Sequence, residues 1–510
     1  MRVTVLVVLA LALGAPAAAR ADWFPVQPVD GPSPAVVGLG GVAVAHDGSG
    51  GIVYLRADGG APHVFLSRLR GGVWRPPVRL DAGIAAPATA ARVAAADDGV
   101  LLVAWISGGV VYGMQVPSAR LLGRAVALAS GATTLDVGLG VDAAGWVVWG
   151  GGGDVHGASA RGGAWHVLPI PLDIVPAHDA GGPAGPPRVS VGADGSGLMT
   201  WEEAGTDGLT HVMARRLTPR MSIPPSDLAG SASQPDPVLQ YDADFGWVVY
   251  RQDIGGVPRT VARHYAGSAF DPPVLLAGGA PSVTPRIALS GIASGGAVEA
   301  GAGNSVVWSP LRGAGFAAPA RLDPGGSVVA PGPVVAVSDA KDVALAWLSA
   351  PPGGPPEVVG RVRPRDQPFQ PPAQLSSAAR GAVGPGGYDI AIDRAGDTVV
   401  AVAQGPDGGR LIGAAVWDRP PRRPAPREVT EFPRRGRPRF EWSAKQDLWG
   451  KLTFEVQVDG RVVGRTTAKS LVPKRRLRPG RHRWRVVAID LHGQRARSAR
   501  GVLRVPRRKK

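Results

Sequence analysis

The sequence predicts an all-β protein, with a long array of short strands followed by a small C-terminal sandwich. Three observations predict this class. Glycine and proline account for 73 and 50 of the 510 residues, a content that helical bundles do not carry. Short apolar runs, separated by Asp- or Gly-containing turns, recur roughly every fifty residues, which indicates a repeat fold. Near the C terminus apolar and polar residues alternate strictly, as in half-buried strands.

Composition and charge exclude several classes of protein. The chain has no cysteine, so disulfide scaffolds and thiolate metal sites are ruled out. Mean hydropathy is +0.05 and the apolar runs are regular, so the chain can supply a core. Charge is uneven, because Arg419–Lys510 carries 28 basic and 7 acidic residues, a net charge of +21, whereas the remainder carries −5.

Residues 1–21 are predicted to be a signal peptide. Arg2 precedes an apolar run from Val3 to Leu13, and small residues follow up to a cleavage site between Ala21 and Asp22. This order is typical of an export signal, and the run is too short for an anchor helix. We expect a secreted or extracellular protein without a transmembrane segment, and its association with the cell wall is left open.

The repeat unit opens with an apolar strand, turns at Asp or Gly, and continues into a second apolar strand. This second strand usually ends in an aromatic residue. The turn Asp and this aromatic lie seven residues apart in Asp47/Tyr54, Asp98/Trp105, Asp142/Trp149 and Asp194/Trp201, and eight apart in Asp242/Tyr250 and Asp339/Trp347. The aromatic residues are interpreted as large core fillers between units. In the degenerate copy that begins near Arg286, the turn is Ser290-Gly291 and the spacing is lost.

A third strand follows, and then a fourth in which an aromatic residue precedes proline. The fourth strand recurs as Val73–Val78, Phe270–Val274 and Phe369–Ala373. Proline cannot donate to a strand ladder, so this strand belongs at a sheet edge. Four antiparallel strands with the last at an edge describe a β-propeller blade.

The number of copies predicts how the array closes. Eight copies of the first three strands begin near Val36, Ala88, Thr134, Pro187, Pro237, Pro285, Pro333 and Tyr388. The eighth copy lacks a fourth strand, but Trp23-Phe24-Pro25-Val26 carries its aromatic–Pro–apolar signature. We therefore expect an eight-bladed propeller over residues 22–418 that the N-terminal strand closes, which removes exposed edges. Seven blades are the alternative, should the weak unit Arg286–Asp323 pack irregularly.

The C-terminal region begins with a Pro- and Arg-rich segment, residues 419–427, which is typical of a stiff linker. Alternating runs around Phe440–Trp442, Leu452–Val458 and Arg481–Ala488 then predict strands. Trp442, the Val458-Asp459-Gly460 turn and the run from Leu477 to Ala488 resemble strands B, C and F of a fibronectin type III domain. The resemblance covers residues 428–505, implies a spacer, adhesive or binding role, and leaves residues 506–510 as a basic tail.

Few residues suggest catalysis. The nine histidines form no His-x-x-x-His pair, so local zinc ligation is unsupported. Glu202 and Glu203 are adjacent in a strand and point to opposite faces, so they cannot form one acid–base dyad. Asp242 and Asp244 alternate as in a calcium loop but lack the later acidic ligand. The turn aspartates are interpreted as bonding their own backbone. No catalytic residue, metal site or cofactor is predicted.

The basic C-terminal region carries the strongest prediction of a partner. We expect anion binding by Lys474, Arg475, Arg476, Arg478, Arg507, Arg508, Lys509 and Lys510. Outside the cell the partner is expected to be an anionic cell-envelope polymer or glycan. Nucleic acid is disfavoured because export removes the usual target and no reader motif is visible. The alternative is a solvated tail that reflects an arginine-rich composition.

The whole chain resembles secreted bacterial β-propeller repeat proteins that end in a fibronectin type III-like module. The resemblance implies a monomeric, non-catalytic binding or scaffold protein of the cell envelope, in which the propeller recognises a glycan or protein. The alternative is a polysaccharide-active hydrolase or lyase with its site at the central channel. Inward His, Tyr, Asp or Glu at one mouth of that channel would favour the enzyme, and a mouth of Gly and Ala would favour binding.

Overall fold

The computed structural model describes residues 22–118, 122–173, 179–218, 223–276, 283–301, 303–323, 331–350, 353–429, 431–432, 437–445 and 447–506. The predicted signal peptide and the terminal cluster Arg507–Lys510 lie outside these residues. The chain divides into two compact units. The repeat unit comprises Trp23–Asp418 with Leu448–Gly450, and the C-terminal unit comprises Arg419–Asp447 and Lys451–Lys510.

The first half of the repeat unit contains β1 (Asp22–Ser33) and four sheets. Sheet 1 contains β2 (Val36–Val44), β3 (Gly50–Asp58), β4 (Ala61–Arg70), β5 (Val73–Trp74) and β6 (Val78–Arg79). Sheet 2 contains β7 (Ala88–Ala96), a 3-10 turn (Asp97–Gly99), β8 (Val100–Ser107), β9 (Val110–Val116) and β10 (Val126–Ser130). Sheet 3 contains β11 (Thr134–Leu139), β12 (Ala144–Gly151), β13 (Asp154–Arg161) and β14 (Ala164–Val167). Sheet 4 contains β15 (Arg188–Val191), β16 (Gly197–Ala204), β17 (Thr210–Leu217) and β18 (Ser226–Gly230).

The second half of the repeat unit contains four further sheets. Sheet 5 contains β19 (Ala232–Leu239), β20 (Gly246–Ile254), β21 (Val257–Tyr265) and β22 (Val274–Leu275). Sheet 6 contains β23 (Arg286–Leu289), β24 (Gly295–Gly301), β25 (Ser305–Arg312), β26 (Gly315–Phe316) and β27 (Ala320–Arg321). Sheet 7 contains β28 (Val334–Val337), β29 (Val343–Ser349), β30 (Glu357–Arg363) and β31 (Ala373–Gln374). After a 3-10 turn (Ala378–Arg380), sheet 8 contains β32 (Val383–Ile392), β33 (Thr398–Gln404) and β34 (Arg410–Asp418).

The strands follow chain order within each sheet, with one exception at the N terminus. In sheets 1 to 7 the first strand is followed by the second, third and fourth, and described neighbours pair antiparallel. In sheet 8 the order is β1-β34-β33-β32, so the N-terminal strand takes the outer position. This is where the sequence places Trp23–Val26. The short outer strands β5 and β6 flank Pro76 and Pro77, in agreement with the edge position predicted for the fourth strand.

The first strands of the eight sheets contact one another in a closed cycle. Each first strand contacts the first strands of the sheets before and after it, and β32 of sheet 8 contacts both β28 and β2. Repeated antiparallel sheets whose inner strands meet around a centre are consistent with a β-propeller. Among the described residues, each of the eight first strands therefore has two neighbouring first strands.

The second strands carry the core. Burial is nearly complete along β8, β12, β29 and β33, as expected for strands packed between neighbouring sheets. Trp105 of sheet 2 packs with Val53 and Val64 of sheet 1, and Trp149 of sheet 3 packs with Leu102 of sheet 2. The closing aromatics are therefore core fillers between sheets, as predicted. Truncation of one such Trp to Ala would cost about 3–5 kcal/mol.

The turn between first and second strands has the chemistry that the sequence predicts. Asp47 Oδ1 accepts the backbone N–H of Ser49 at 2.9 Å, and Asp194 Oδ1 accepts that of Ser196 at 2.8 Å. Gly48 and Gly195 follow with φ of +79° and +81°, a conformation that glycine adopts without strain. Each aspartate thus holds its own turn.

The C-terminal unit contains two antiparallel sheets. The smaller contains β35 (Ala425–Pro426), β36 (Phe440–Ser443) and β39 (Ser470–Leu471), in the order β35-β36-β39. The larger contains β37 (Thr453–Val458), β38 (Arg461–Thr466), β40 (Gly480–Ile489), β41 (Arg495–Arg497) and β42 (Gly501–Val505), in the order β38-β37-β40-β41, with β42 also paired to β40. Side chains of both sheets, including Phe440, Trp442, Phe454 and Trp484, form one buried cluster.

Candidate functional site

A cavity of about 180 Å³ lies where the first strands of the repeat unit end. All eight sheets line it, each through the last residues of its first strand or the turn that follows. Successive sheets contribute His46, Ala95, Gly140, Ala193, Tyr241, Gly291, Asp339 and Asp393, among others. We call this cavity the central pocket. Valine, alanine and glycine form much of its wall, and a few polar side chains project between them.

Tyr241 joins three sheets across the central pocket. Its hydroxyl donates to Asp339 Oδ2 of sheet 7 at 3.0 Å and hydrogen-bonds to His46 Nε2 of sheet 1. The His46 and Tyr241 rings meet edge to face, with centroids 5.1 Å apart and an interplanar angle of 85°. A phenol carries one proton, and a carboxylate only accepts. Because the phenol proton is used in the bond to Asp339, the hydrogen of the bond between Tyr241 and His46 is assigned to His46 Nε2, which donates to the phenol oxygen.

Gly291 makes room for the Tyr241 ring. A Cβ built on Gly291 would lie 2.1 Å from Tyr241 Cε2 and 2.4 Å from Cδ2. The Gly291 N–H also donates to Asp339 Oδ1 at 2.9 Å. In this turn the position two residues after Ser290, which holds the turn aspartate in sheets 1, 3, 4 and 5, is Ile292. The absence of a side chain at Gly291, the residue before it, therefore admits the Tyr241 ring.

Burial sets the protonation of the polar groups around the pocket. Desolvation, followed by the negative charge of Asp339, holds the pKa of Tyr241 well above its usual range, so this group remains a neutral phenol. Burial also raises the pKa of Asp393, although three backbone N–H groups donate to its Oδ1, and the charge of Asp418 adds to the rise. No described residue donates to Asp393 Oδ2.

Two turns at the pocket are bonded to each other. The Asp47 N–H donates to Asp97 Oδ1 at 2.9 Å, and the Asp98 N–H donates to Asp47 Oδ2 at 2.8 Å. His46 Nδ1 lies 3.9 Å from Asp97 Oδ1. The His46 side chain is 30% exposed. Solvent therefore reaches both His46 and Asp97.

Further along the first strands lies a second set of polar groups, which we call the charge ring. It occupies one repeat position, four residues before the residue that opens the turn, and so about 13 Å from the pocket along each strand. In chain order this position holds Gly41, Arg92, Asp136, Arg188, Asp236, Arg286, Val334 and Asp389. The signs alternate from sheet 2 to sheet 6.

The aspartates of the charge ring bond the next first strand. Each accepts a backbone N–H from the neighbouring sheet, at 2.9–3.0 Å. These bonds run from Val189 to Asp136, from Ile287 to Asp236 and from Val42 to Asp389. The charge ring therefore holds adjacent sheets together along the strands that surround the centre.

The arginines of the charge ring are only partly neutralised. Arg286 donates to Asp236 Oδ1 at 2.8 Å, whereas the nearest Arg188 nitrogen lies 3.9 Å from the same oxygen. Burial, followed by the positive charge of Arg286, lowers the pKa of Arg188 to about 10. Arg92 donates to the backbone carbonyl of Gly40 at 3.0 Å.

The adjacent carboxylates Glu202 and Glu203 are not among the residues that line the central pocket. Each accepts a hydrogen bond from a different residue. Glu203 Oε2 accepts a hydrogen bond from Trp201 Nε1 at 2.9 Å, and Glu202 Oε1 accepts one from the Gln234 N–H at 2.7 Å.

Asp244 of the possible calcium loop accepts a hydrogen bond from Arg216 at 3.1 Å. Within the described ranges no cluster of three or more His, Asp or Glu could hold a metal ion, and no described helix is long and apolar enough to cross a membrane.

The predicted anion-binding residues that are described lie in the C-terminal unit. Lys474, Arg475, Arg476 and Arg478 are exposed in the segment between β39 and β40. No ion pair with a described carboxylate is found for these four side chains. Arg507, Arg508, Lys509 and Lys510 lie outside the described residues.

The sequence analysis missed both the His46–Tyr241–Asp339 cluster and the charge ring. A signal for the charge ring is present, because a charged residue recurs at one position in six of the eight first strands. No such signal exists for Tyr241, since residues 195 positions apart make its bond to His46.

Comparison with solved structures gives distant likenesses. The polysaccharide lyase Uly1 is 8% identical with a TM-score of 0.43, over 74% of this chain and 89% of its own. A streptogramin B lyase is 11% identical with a TM-score of 0.36, over 78% and 98%. AofleA from Arthrobotrys oligospora is 10% identical with a TM-score of 0.36, over 58% and 88%. At TM-scores below 0.5 these likenesses carry no functional argument.

No protein-family model matches the chain, and no curated protein matches it.

Proposed function

We propose that the chain is a secreted, non-catalytic binding or scaffold protein of the cell envelope. The repeat unit is an eight-bladed β-propeller, closed by its N-terminal strand, that recognises a glycan or protein ligand at the central pocket. The C-terminal unit is a fibronectin type III-like module that acts as an electrostatic anchor to an anionic surface. Secretion rests on the signal-like sequence of residues 1–21.

Two observations support the proposed architecture. The cycle of first strands passes through eight sheets, including the weak sixth unit, and β1 completes the eighth sheet. In the C-terminal unit two antiparallel sheets enclose a cluster that contains Trp442 and Trp484. Both tryptophans belong to the motifs that carry the resemblance to fibronectin type III domains.

The central pocket is the observation that carries the binding function. It is a single concavity to which all eight sheets contribute. Its volume is below the roughly 300–1,000 Å³ of pockets for drug-sized ligands, so one small polar group, such as a terminal sugar ring, matches it. Both oxygens of Asp339 and the hydroxyl of Tyr241 are bonded within the protein. These groups therefore hold the pocket in shape, and a ligand meets a preformed site.

The anchor rests on charge and exposure. The net charge of +21 is confined to Arg419–Lys510, and four of the predicted anion-binding side chains are exposed between β39 and β40. Attraction of such a segment to an anionic surface is expected to weaken as salt rises.

The test is co-sedimentation of the secreted protein with isolated cell envelopes at low and high salt. We compare the wild type with a K474Q/R475Q/R476Q/R478Q variant, because truncation after Asp418 would remove Leu448–Gly450 from the repeat unit. Salt-sensitive pelleting that the variant loses supports the anchor. Salt-resistant pelleting of both proteins assigns envelope binding to the repeat unit, and no pelleting contradicts the envelope function. Mass spectrometry of the exported protein checks whether it begins at Asp22.

A second candidate is the polysaccharide-active hydrolase or lyase. The observation in its favour is the inward His46–Tyr241–Asp339 cluster, since inward His, Tyr and Asp were the criterion for an enzyme. In this function His46 acts as the general base and Tyr241, a neutral phenol, as the general acid. We place it second because the hydroxyl of Tyr241 is bonded to other residues of the protein.

A panel of acidic and neutral polysaccharides tests the second candidate by release of new chain ends. Turnover that falls at least 100-fold in both H46Q and Y241F, with Y112F as control, would establish it. Tyr112 is a suitable control because it stacks on Trp105 in sheet 2 and is not among the residues that line the pocket. Absence of turnover across the panel favours the binding function.

A further inference from the structure

The outward face of the larger sheet in the C-terminal unit carries a concentration of arginines that the sequence analysis did not single out. In β40 the core side chains are Trp484, Val486 and Ala488. Because side chains alternate along a strand, residues 481, 483 and 485 point to the opposite face. Arg504 of β42 is directly opposite Arg481, and Arg497 of β41 is directly opposite Val487. We call Arg481, Arg483, Arg485, Arg497 and Arg504 the arginine face.

The described acidic residue of β37 on this face is already neutralised. Glu455 is 2% exposed, and Arg465 donates to its Oε1 at 2.6 Å while Arg495 donates to its Oε2 at 3.2 Å. These two arginines are therefore not counted in the arginine face. Among described residues, the five that are counted form no ion pair with a carboxylate. Arg485 donates to the neutral side chain of Gln457 at 2.8 Å.

The arginine face has a cost for the fold. Arg481 and Arg504 are cross-strand partners, and like charges directly opposite each other destabilise a sheet. Burial and the charges of Arg497 and Arg500 lower the pKa of Arg485. Solvated surfaces usually mix both signs of charge. An anion seated between these side chains would remove the repulsion.

We infer that the arginine face is a binding site for a linear polymer that bears phosphate groups. This inference rests on the proposed anchoring function. It assigns most of the anion binding to the arginine face of the larger sheet and not to the 474–478 segment. Charge complementarity is the argument for the occupant. The Cα atoms of these arginines recur about 6.8 Å apart along β40, and neighbouring strands lie about 4.8 Å apart, so an extended chain with repeated anions can contact several of them at once.

The identity of the side chains favours phosphate. All five are arginine, whose planar fork donates two parallel hydrogen bonds to a phosphate and is not replaced by lysine in that geometry. Stacking of nucleic acid bases requires exposed aromatic rings, and Trp484 of the same strand is buried on the other face. A phosphate-bearing envelope polymer is therefore the occupant, and single-stranded DNA serves as a comparison.

The test measures binding of the full secreted chain to long-chain inorganic polyphosphate over a range of salt. An R481Q/R483Q/R504Q variant removes three exposed arginines from the arginine face. A K474Q/R475Q/R476Q variant removes the same charge from the exposed 474–478 segment. We expect the first variant to weaken binding at least 30-fold at low salt and to reduce the salt slope by about 2, and the second to weaken binding less than 3-fold.

Three outcomes would overturn the inference. Equal weakening in both variants would mean that binding follows net charge and not the arginine face. Affinity for polyglutamate equal to that for polyphosphate would mean that the face does not select phosphate, and equal affinity for phosphatidylglycerol vesicles would mean that it does not select a linear polymer. No binding of polyphosphate by the wild type would remove the site altogether.

The envelope assay separates this inference from the proposed function. If the K474Q/R475Q/R476Q variant loses salt-sensitive pelleting, the R481Q/R483Q/R504Q variant keeps it and polyphosphate is not bound, the inference is wrong and the proposed function stands. If the wild type binds polyphosphate through the arginine face but does not pellet with envelopes, the envelope function is wrong and the site stands. Thermal melting of each variant confirms that it is folded.

Discussion

The centre of the repeat unit and the arginine face of the C-terminal unit are both rich in charge, but they use it differently. At the centre, charged and polar groups bond one another or a neighbouring backbone. The Asp236 carboxylate accepts hydrogen bonds from both the Arg286 guanidinium and the Ile287 N–H. On the arginine face, Arg481 is opposite Arg504, with no described carboxylate paired to either.

This difference separates charge that stabilises a fold from charge that is available to a partner. A buried acceptor that loses its donors costs free energy, so groups at the centre are committed to the structure. Exposed arginines without partners cost the fold little and gain most from an external anion. Substitutions at the two places should therefore have opposite consequences, with large effects on stability at the centre and large effects on binding at the arginine face.

The largest effect on stability is expected for D236A. This change leaves the Arg286 guanidinium and the Ile287 N–H without their acceptor, and it should lower the free energy of unfolding by about 3 kcal/mol in urea titrations. The control is D244A in the same sheet, whose side chain is 76% exposed beside Arg216, and which should cost less than about 1 kcal/mol. Equal losses in the two variants would contradict the structural role of the charge ring.

A smaller loss is expected for G291A. The new methyl group overlaps the Tyr241 ring, which must move away from His46 and Asp339, and overpacking of this kind costs about 1–3 kcal/mol. The control is G315A, because no atom lies within 4 Å of a Cβ at Gly315 in the same sheet. The G291A/Y241A double variant should be less destabilised than the sum of the single variants. Additive losses would show that the ring and Gly291 do not interact.

D393N tests a group whose charge opposes the fold. The pKa of Asp393 is raised in the folded state, so the unfolded chain releases this proton at lower pH, and wild-type stability falls as pH rises from about 4. Asn cannot ionise and keeps the oxygen that accepts three N–H groups. The variant should therefore melt higher than the wild type at pH 8, by about 2 °C for each kcal/mol gained, and equally near pH 3.5. D194N, at an exposed turn, is the control that should show no such trend.

The smallest effect on stability is expected for R481Q/R483Q/R504Q. Removal of exposed, mutually repelling arginines should change the free energy of unfolding by less than about 0.5 kcal/mol, with a slight gain at low salt that high salt removes. Melting curves at the two salt concentrations measure this. A loss comparable to that of D236A would show that these side chains serve the fold, and the contrast between the two regions would fail.

Local features of the chain predict much of this architecture. The Asp-Gly turns, the aromatic at the end of each second strand and the Pro-containing outer strands recur at fixed spacing, because each is a requirement of neighbouring residues on one backbone. The aromatic–Pro–apolar signature also predicts that Trp23–Val26 lies beside the strand that ends at Asp418. The eighth copy lacks a fourth strand, and the N-terminal segment has the sequence of a fourth strand without a copy of its own.

The candidate sites were harder to predict because they depend on which strands meet. The charge at the ring position is visible in six of the eight first strands, but its alternation gains meaning only when the sheets stand in order around a centre. On the C-terminal unit, Arg481, Arg483 and Arg485 alternate visibly with core residues, whereas their proximity to Arg497 and Arg504 depends on the pairing of β40 with two other strands.

The sequence by itself determined the strands, the turns, the repeat and the concentration of positive charge near the C terminus, because these follow from backbone geometry and composition over a few neighbouring residues. The tertiary structure alone decided that Tyr241 bonds His46 and Asp339 across the pocket, and that the absence of a side chain at Gly291 admits its ring. Such contacts join residues up to 195 positions apart. They exist only once long-range strand pairing has brought distant sheets to a common centre.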